Sequence, residues 1–178
     1  MRKSHRKKVA KKSHHKLKLP VHLLHFRGYD NTKDIDKILS EKKLVQDVLG
    51  LSNDLLGKLF SQAVELLTHH QYTEALAAFK LLIQINPFVS DFWIGQALAK
   101  KADEKYSEAI KDFLVAQTLD PTRPEYYPAA IDCCLEIGQV KQARKFLKRF
   151  IRICCYELSG DEQKFYMNEM RDRKEKLA

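Results

Sequence analysis

The sequence predicts an all-α fold: three helix-turn-helix repeats stacked in a right-handed superhelix, with flanking helices at the N-terminal and C-terminal ends. Three observations predict it. Tyr72, Ala75, Phe79 and Pro87 recur as Tyr106, Ala109, Phe113 and Pro121, each pair 34 residues apart. A weaker third copy keeps step, with Val140, Ala143 and Leu147 where Tyr, Ala and Phe stood. Trp93 and Tyr127 stand near the starts of copies two and three.

A period of 34 residues with these residue types is the tetratricopeptide (TPR) signature. Each unit is a pair of antiparallel helices, A and B, and neither buries its apolar face without a neighbour. Ala75, Ala109 and Ala143 are small because A and B approach closely there, and Tyr72, Phe79 and their counterparts plug the space around that contact. Pro87 and Pro121 end the helix before them and aim the chain at the next repeat.

Length and charge bound the rest. A chain of 178 residues is long enough for one domain with a core and too short for two large ones. Leu17–Phe26 is interrupted by Lys18, Pro20, His22 and His25, so neither a membrane span nor a signal-peptide core is expected, and the reading is a soluble, intracellular protein. The formal charge is +9 in total, yet residues 1–29 hold ten Lys or Arg and no acid. Residues 30–178 hold the other 22 basic side chains against all 23 acidic ones, net −1. The excess therefore belongs to a tail, expected to be disordered when free. It either offers attraction to nucleic acid, anionic lipid or an acidic protein, or is a solvated tail that aids solubility or is read by other machinery. No aromatic precedes Phe26 in it, so base stacking is not signalled.

In chain order, Asp34–Leu49 reads as an amphipathic helix with Ile35, Ile38, Leu39, Val45, Val48 and Leu49 on one side. Its apolar face is expected either to cap the stack, filling its groove, or to pair with a second copy. Gly50 ends it and Ser52 caps the next. Leu55–His69 and Thr73–Ile85 form repeat one, with His69 and His70 in a strained turn where Gly is usual. Ser90–Ala102 and Ser107–Leu119 form repeat two; Pro124–Ile137 and Val140–Ile153 form repeat three. Thr122-x-x-Glu125 and Ser159-x-x-Glu162 have the capping-box pattern, and the latter starts a final helix whose Phe165, Tyr166 and Met170 lie back on the last repeat. The expected division is a basic tail over 1–29, a helical segment over 30–55, repeats over 56–89, 90–123 and 124–155, and a capping helix over 156–178.

No catalytic constellation holds: there is no Gly-rich phosphate loop, no G-x-S-x-G and no H-E-x-x-H, so an enzyme is not expected. No cofactor is implied. Cys133-Cys134 and Cys154-Cys155 are vicinal pairs that suit neither a disulfide nor a metal clamp, and read as small buried hydrophobes. What a TPR array offers is a surface, with helix A of each repeat on the concave side. Positions two, five, nine and twelve of each repeat give Gly57, Phe60, Val64 and Leu67, then Asp91, Ile94, Leu98 and Lys101, then Glu125, Pro128, Asp132 and Leu135. The expectation is an apolar trough that takes apolar side chains of an extended or helical segment. The array of Lys, Asn and Arg that would bind a terminal carboxylate is absent.

The run from Leu49 to Pro87, followed by FWIGQALAKKADEKYSEAIKDFLVAQTLDP and RPEYYPAAIDCCLEIG, resembles the class II chaperones of bacterial type III secretion, the LcrH/SycD type. The resemblance covers roughly residues 42–153. It implies three TPRs after an N-terminal helical segment, and a role in holding hydrophobic translocator proteins in the bacterial cytoplasm before export. By position it places Phe60, Val64, Leu67 and Tyr72 in the groove of repeat one and Ile94, Gly95 and Leu98 in that of repeat two, receiving a Pro-containing segment of the client. The groove offsets add Lys101 and Leu135. Ile35, Ile38, Leu39 and Val45 resemble in placement the family's dimerisation segment. The sequence departs from the family in its less aromatic repeat one and its longer, more charged N-terminus. A general TPR adaptor, and a polyanion-binding protein acting through residues 1–29, remain the alternatives.

Overall fold

The computed structural model describes residues 44–177, which form nine helices and no strand. They are α1 (Val45–Val48), α2 (Asn53–Thr68), α3 (Tyr72–Ile85), α4 (Ser90–Ala102), α5 (Tyr106–Leu119), α6 (Tyr127–Glu136), α7 (Val140–Tyr156), α8 (Gly160–Glu169) and α9 (Arg171–Glu175). The basic tail and residues 34–43 of the expected first helix, with Ile35, Ile38 and Leu39, lie outside the described residues.

Hairpins α2/α3, α4/α5 and α6/α7 are the three repeats. Each B helix packs on the next A helix (α3 on α4, α5 on α6), and the A helices also touch one another, α2 on α4 and α4 on α6. Ala75, Ala109 and Ala143 are fully buried at the A/B contacts. Position four of the repeat has a polar reason as well as an apolar one. Trp93 Nε1 donates to the Pro87 carbonyl at 2.7 Å, and the Tyr127 hydroxyl donates to the Pro121 carbonyl at 3.3 Å. An aromatic that carries a donor thus closes each inter-repeat corner by giving the proline carbonyl a hydrogen-bond partner.

The turn between helices A and B keeps one backbone shape in all three repeats. His70, Glu104 and Gly138, spaced by the repeat length, sit at φ of +62°, +58° and +70°. Two non-glycine residues accept this left-handed conformation, and only the third turn has the residue that suits it. A Cβ built on Gly138 meets nothing within 4 Å. Gly138→Ala should therefore act through the backbone alone and cost about 1 kcal/mol, read as a lower urea midpoint with unchanged slope.

Three local expectations are corrected. Thr122 does not cap helix A of repeat three: its N–H and hydroxyl both donate to Asp120 Oδ1, at 3.3 and 2.9 Å. That turn and Pro128 at the helix start delay α6 to Tyr127. Ser159 occupies the N-cap of α8, but its side chain makes no capping bond, whereas Ser52 accepts from the Leu55 N–H at 3.2 Å. The final helix is two, α8 and α9, separated at Met170. Together they close the end of the stack: α8 packs on α7 and α9 reaches back to α6. The Tyr166 ring meets Phe150 edge-on at 6.0 Å, and Gln163 Nε2 donates to the Cys154 carbonyl at 2.6 Å.

At the other end, α1 is a single turn tied to repeat one through Gln46. Its Nε2 donates to Asn53 Oδ1 at 2.9 Å, and its Oε1 accepts from Asn86 Nδ2 at 2.7 Å. Val45, Val48 and Leu49 remain exposed.

Candidate functional site: the concave face

Successive A helices lay the predicted groove positions in one row, but the row is not an open trough. Phe60, Leu67, Ile94 and Leu98 are each at most 2% exposed and belong to the continuous core. The Phe60 ring lies 5.9 Å from both Phe79 and Phe92, so it is shared between repeats one and two. Pro128 is buried as well, while Gly57, Val64, Lys101, Asp132 and Leu135 keep intermediate exposure. The concave face is thus a covered apolar floor with a few half-buried side chains above it.

Two expected groove residues stand elsewhere. Tyr72 opens α3 at the A/B turn, where its hydroxyl lies 2.8 Å from His70 Nδ1 and the two rings meet edge-on. Gly95 faces Phe79: a Cβ there would fall 2.2 Å from the ring. Its smallness serves the junction between repeats rather than the groove.

Charge is organised in two clusters on this side. In the first, Arg123 Nη1 donates to Asp91 Oδ1, with both side chains 1% exposed, and Glu125 approaches Arg123 Nε at 3.6 Å. Burial alone would lower the Arg123 guanidinium; the Asp91 charge and hydrogen bond outweigh it and hold it above its ordinary value. In the second, Asp132 accepts from Lys101 Nζ at 3.0 Å and from Arg173 Nε and Nη2 at 2.6 and 2.8 Å, a bidentate grip that docks α9 onto α6.

Burial alone would raise the Asp132 carboxyl, but the Arg173 hydrogen bond and the Lys101 and Arg173 charges hold it below its ordinary value. A carboxyl depressed in the folded state stabilises above its unfolded value of about 4 and loses that contribution as pH falls through the folded value. The grip on α9 should therefore weaken below about pH 4. Asp132→Asn should flatten this part of the acid-unfolding curve while weakening α9 docking at neutral pH, as read by hydrogen exchange over 170–177.

Sequence reasoning missed Arg123 and Arg173. Arg123 reads as a linker residue after Pro121, and its partner is 32 positions away; no periodicity marks such a pair. Cys133, Cys134 and Cys154 are buried as expected, and burial pushes their thiols up to about 12, 11 and 11. Cys155 is exposed, contrary to expectation, because vicinal residues on a helix point about 100° apart. Among the described residues no group of three His, Cys, Asp or Glu could hold a metal ion, and no helix is long and apolar enough to cross a membrane.

The fold and this face define a three-repeat TPR domain, sealed by its C-terminal helices, with an apolar concave floor. No protein-family model matches the chain. It is 25% identical over 115 residues to the low calcium response locus protein H of Yersinia pestis, covering 65% of this chain and 66% of that protein. The chain thus spans just under two thirds of that relative's length. The fold matches a structure of a type III secretion complex from Aeromonas hydrophila with a TM-score of 0.68 at 17% identity, over 80% of this chain and 91% of that one. It matches the type III secretion chaperone SycD of Yersinia enterocolitica, in complex with a peptide of the translocator YopD, with a TM-score of 0.61 at 22% identity, over 72% and 98%. The chain is thus similar in sequence and fold to the LcrH/SycD-type proteins.

Proposed function

We propose that this chain is a bacterial cytoplasmic chaperone for hydrophobic translocator proteins of a type III secretion system, acting by binding and not by catalysis. The observation that carries the reading is the three-repeat stack with its apolar concave floor, the architecture of a chaperone whose structure holds a translocator peptide. In this reading the client segment lies along the A helices and contacts Val64, Lys101 and Leu135, which keep accessible surface. Phe60, Leu67, Ile94 and Leu98 form the floor beneath; Tyr72 bounds the repeat-one end, and Gly95 sets how closely the two repeats approach. The exposed Val45, with Ile35, Ile38 and Leu39 preceding it, is assigned to a homodimer contact. Attraction to nucleic acid or another anionic surface belongs to residues 1–29.

The test is co-expression with candidate translocators followed by co-purification. Val64→Arg and Leu135→Arg should each reduce recovery of the client at least about tenfold, equivalent to ~1.4 kcal/mol, with helicity preserved because both side chains reach solvent. Undiminished recovery by both variants would overturn the concave-face reading.

A further inference from the structure

We propose that the outer face of α7 is a docking surface for an acidic helical segment of a partner protein, separate from the concave face and independent of the reading above. α7 carries Lys141, Arg144, Lys145, Lys148, Arg149 and Arg152 and no acidic residue. Its opposite face, with Ala143, Phe146, Phe150 and Ile153, is buried in repeat three, so the helix cannot turn its charges elsewhere. Lys141, Lys145, Lys148 and Arg152 are all exposed. At 100° and 1.5 Å per residue they fall within an arc of about 60° and extend about 16 Å, a single row of cations along the helix. None of the six enters an ion pair among the described residues, whereas Lys100, Lys101, Lys105, Arg123 and Arg173 all do.

The row is not a requirement of the fold. The same register in repeat two holds Ser107, Lys111, Leu114 and Thr118, and in repeat one Thr73, Ala77, Lys80 and Gln84, each of them exposed. Only the third repeat concentrates charge there, and like charges at this spacing repel in the free protein. The width of the row selects the partner. The outer helices of repeats one and two each set an exposed acid against an exposed base, Glu74 with Lys80 and Glu108 with Lys111, so the positive field does not extend beyond α7 to meet a broad polyanion such as a nucleic-acid duplex or an anionic membrane. Arg144, exposed beside the row, is drawn aside by donating from Nε to the Leu177 carbonyl at 3.1 Å, and Arg149 is half-buried, so the four-cation row is the strip that faces outward. Such a strip fits a row of Asp or Glu at the same helical spacing on one partner helix. Tyr156, 84% exposed, lies just beyond Arg152 on the same side and offers that helix an apolar end contact.

The probe is a labelled alanine-based helical peptide with Glu at i, i+4, i+7 and i+11, compared with a scrambled peptide of identical composition, using the full-length chain. The row peptide should bind at least about tenfold more tightly than the scrambled one. The quadruple variant K141Q/K145Q/K148Q/R152Q should lose that preference while melting like the parent. Residues 1–29 are unchanged in both proteins, so their general attraction for acids cancels in the comparison. Lys145→Gln with Lys148→Gln is the milder variant and should lose part of the preference, whatever the fold of the quadruple variant. Equal binding of the two peptides by the parent would overturn the proposal. It would also fail if the substitutions instead weakened binding to duplex DNA or to phosphatidylserine vesicles and left the peptide preference intact.

Discussion

Phe60→Glu and Leu98→Glu should each lower the stability of the free protein by ~3 kcal/mol or more, enough to unfold much of a domain of ordinary stability. Both side chains are at most 2% exposed. A carboxylate placed there either enters the core charged or is protonated at a cost. At residue 60 the change also removes ring contacts to Phe79 and Phe92, centred 5.9 Å away. Val64→Glu, one helical turn from Phe60 and half-buried, is the control and should leave the melt nearly unchanged. Circular dichroism melts of the three variants settle the point. If Phe60→Glu and Leu98→Glu melt like the parent, the concave floor is open in solution and the covered arrangement is wrong.

The second large effect lies at the buried ion pair. Arg123→Met should destabilise by ~3–5 kcal/mol, because the Asp91 carboxylate stays in the interior after losing its guanidinium. Asp91→Asn on the same background should recover part of the loss, since a buried pair replaced on both sides costs far less than one broken on one side. A double-mutant cycle from urea unfolding isolates the coupling between the two residues from every other contact they make. A coupling near zero would show that the pair is bystander to the junction between α4 and the entrance of α6.

The repeat architecture was legible in the sequence because its determinants are local and periodic. Alanine at the close contact, proline after helix B and an aromatic at position four each act within one unit or its junction. Helix α4 begins at Ser90 and ends at Ala102 as expected, and α2 and α3 differ from expectation by one or two residues. The concave face was legible only in outline. Repeat offsets say which side chains point inward, but not how far the inner surface is covered. Phe60 answers to two repeats at once, and that sharing is a tertiary property. Thr122-x-x-Glu125 misled because Asp120, two residues upstream, takes the Thr122 donors first. Arg123 and Arg173 escaped because salt bridges across 32 and 41 positions leave no local mark.

The bare Cα of Gly95 has a consequence for how this array could be rearranged. Repeats of one length invite the picture of interchangeable bricks. Here the bricks are keyed. The residue that meets repeat one is glycine, and its counterpart 34 positions later is Ala129. Excising repeat two to join the first and third units would bring that methyl group to where a Cβ lies 2.2 Å from the Phe79 ring. One hydrogen atom's worth of side chain therefore decides which unit can follow the first. Deleting repeat two, or duplicating repeat one with Ser61 in the place of Gly95, meets a steric gate at Phe79, whereas a second copy of repeat two passes it.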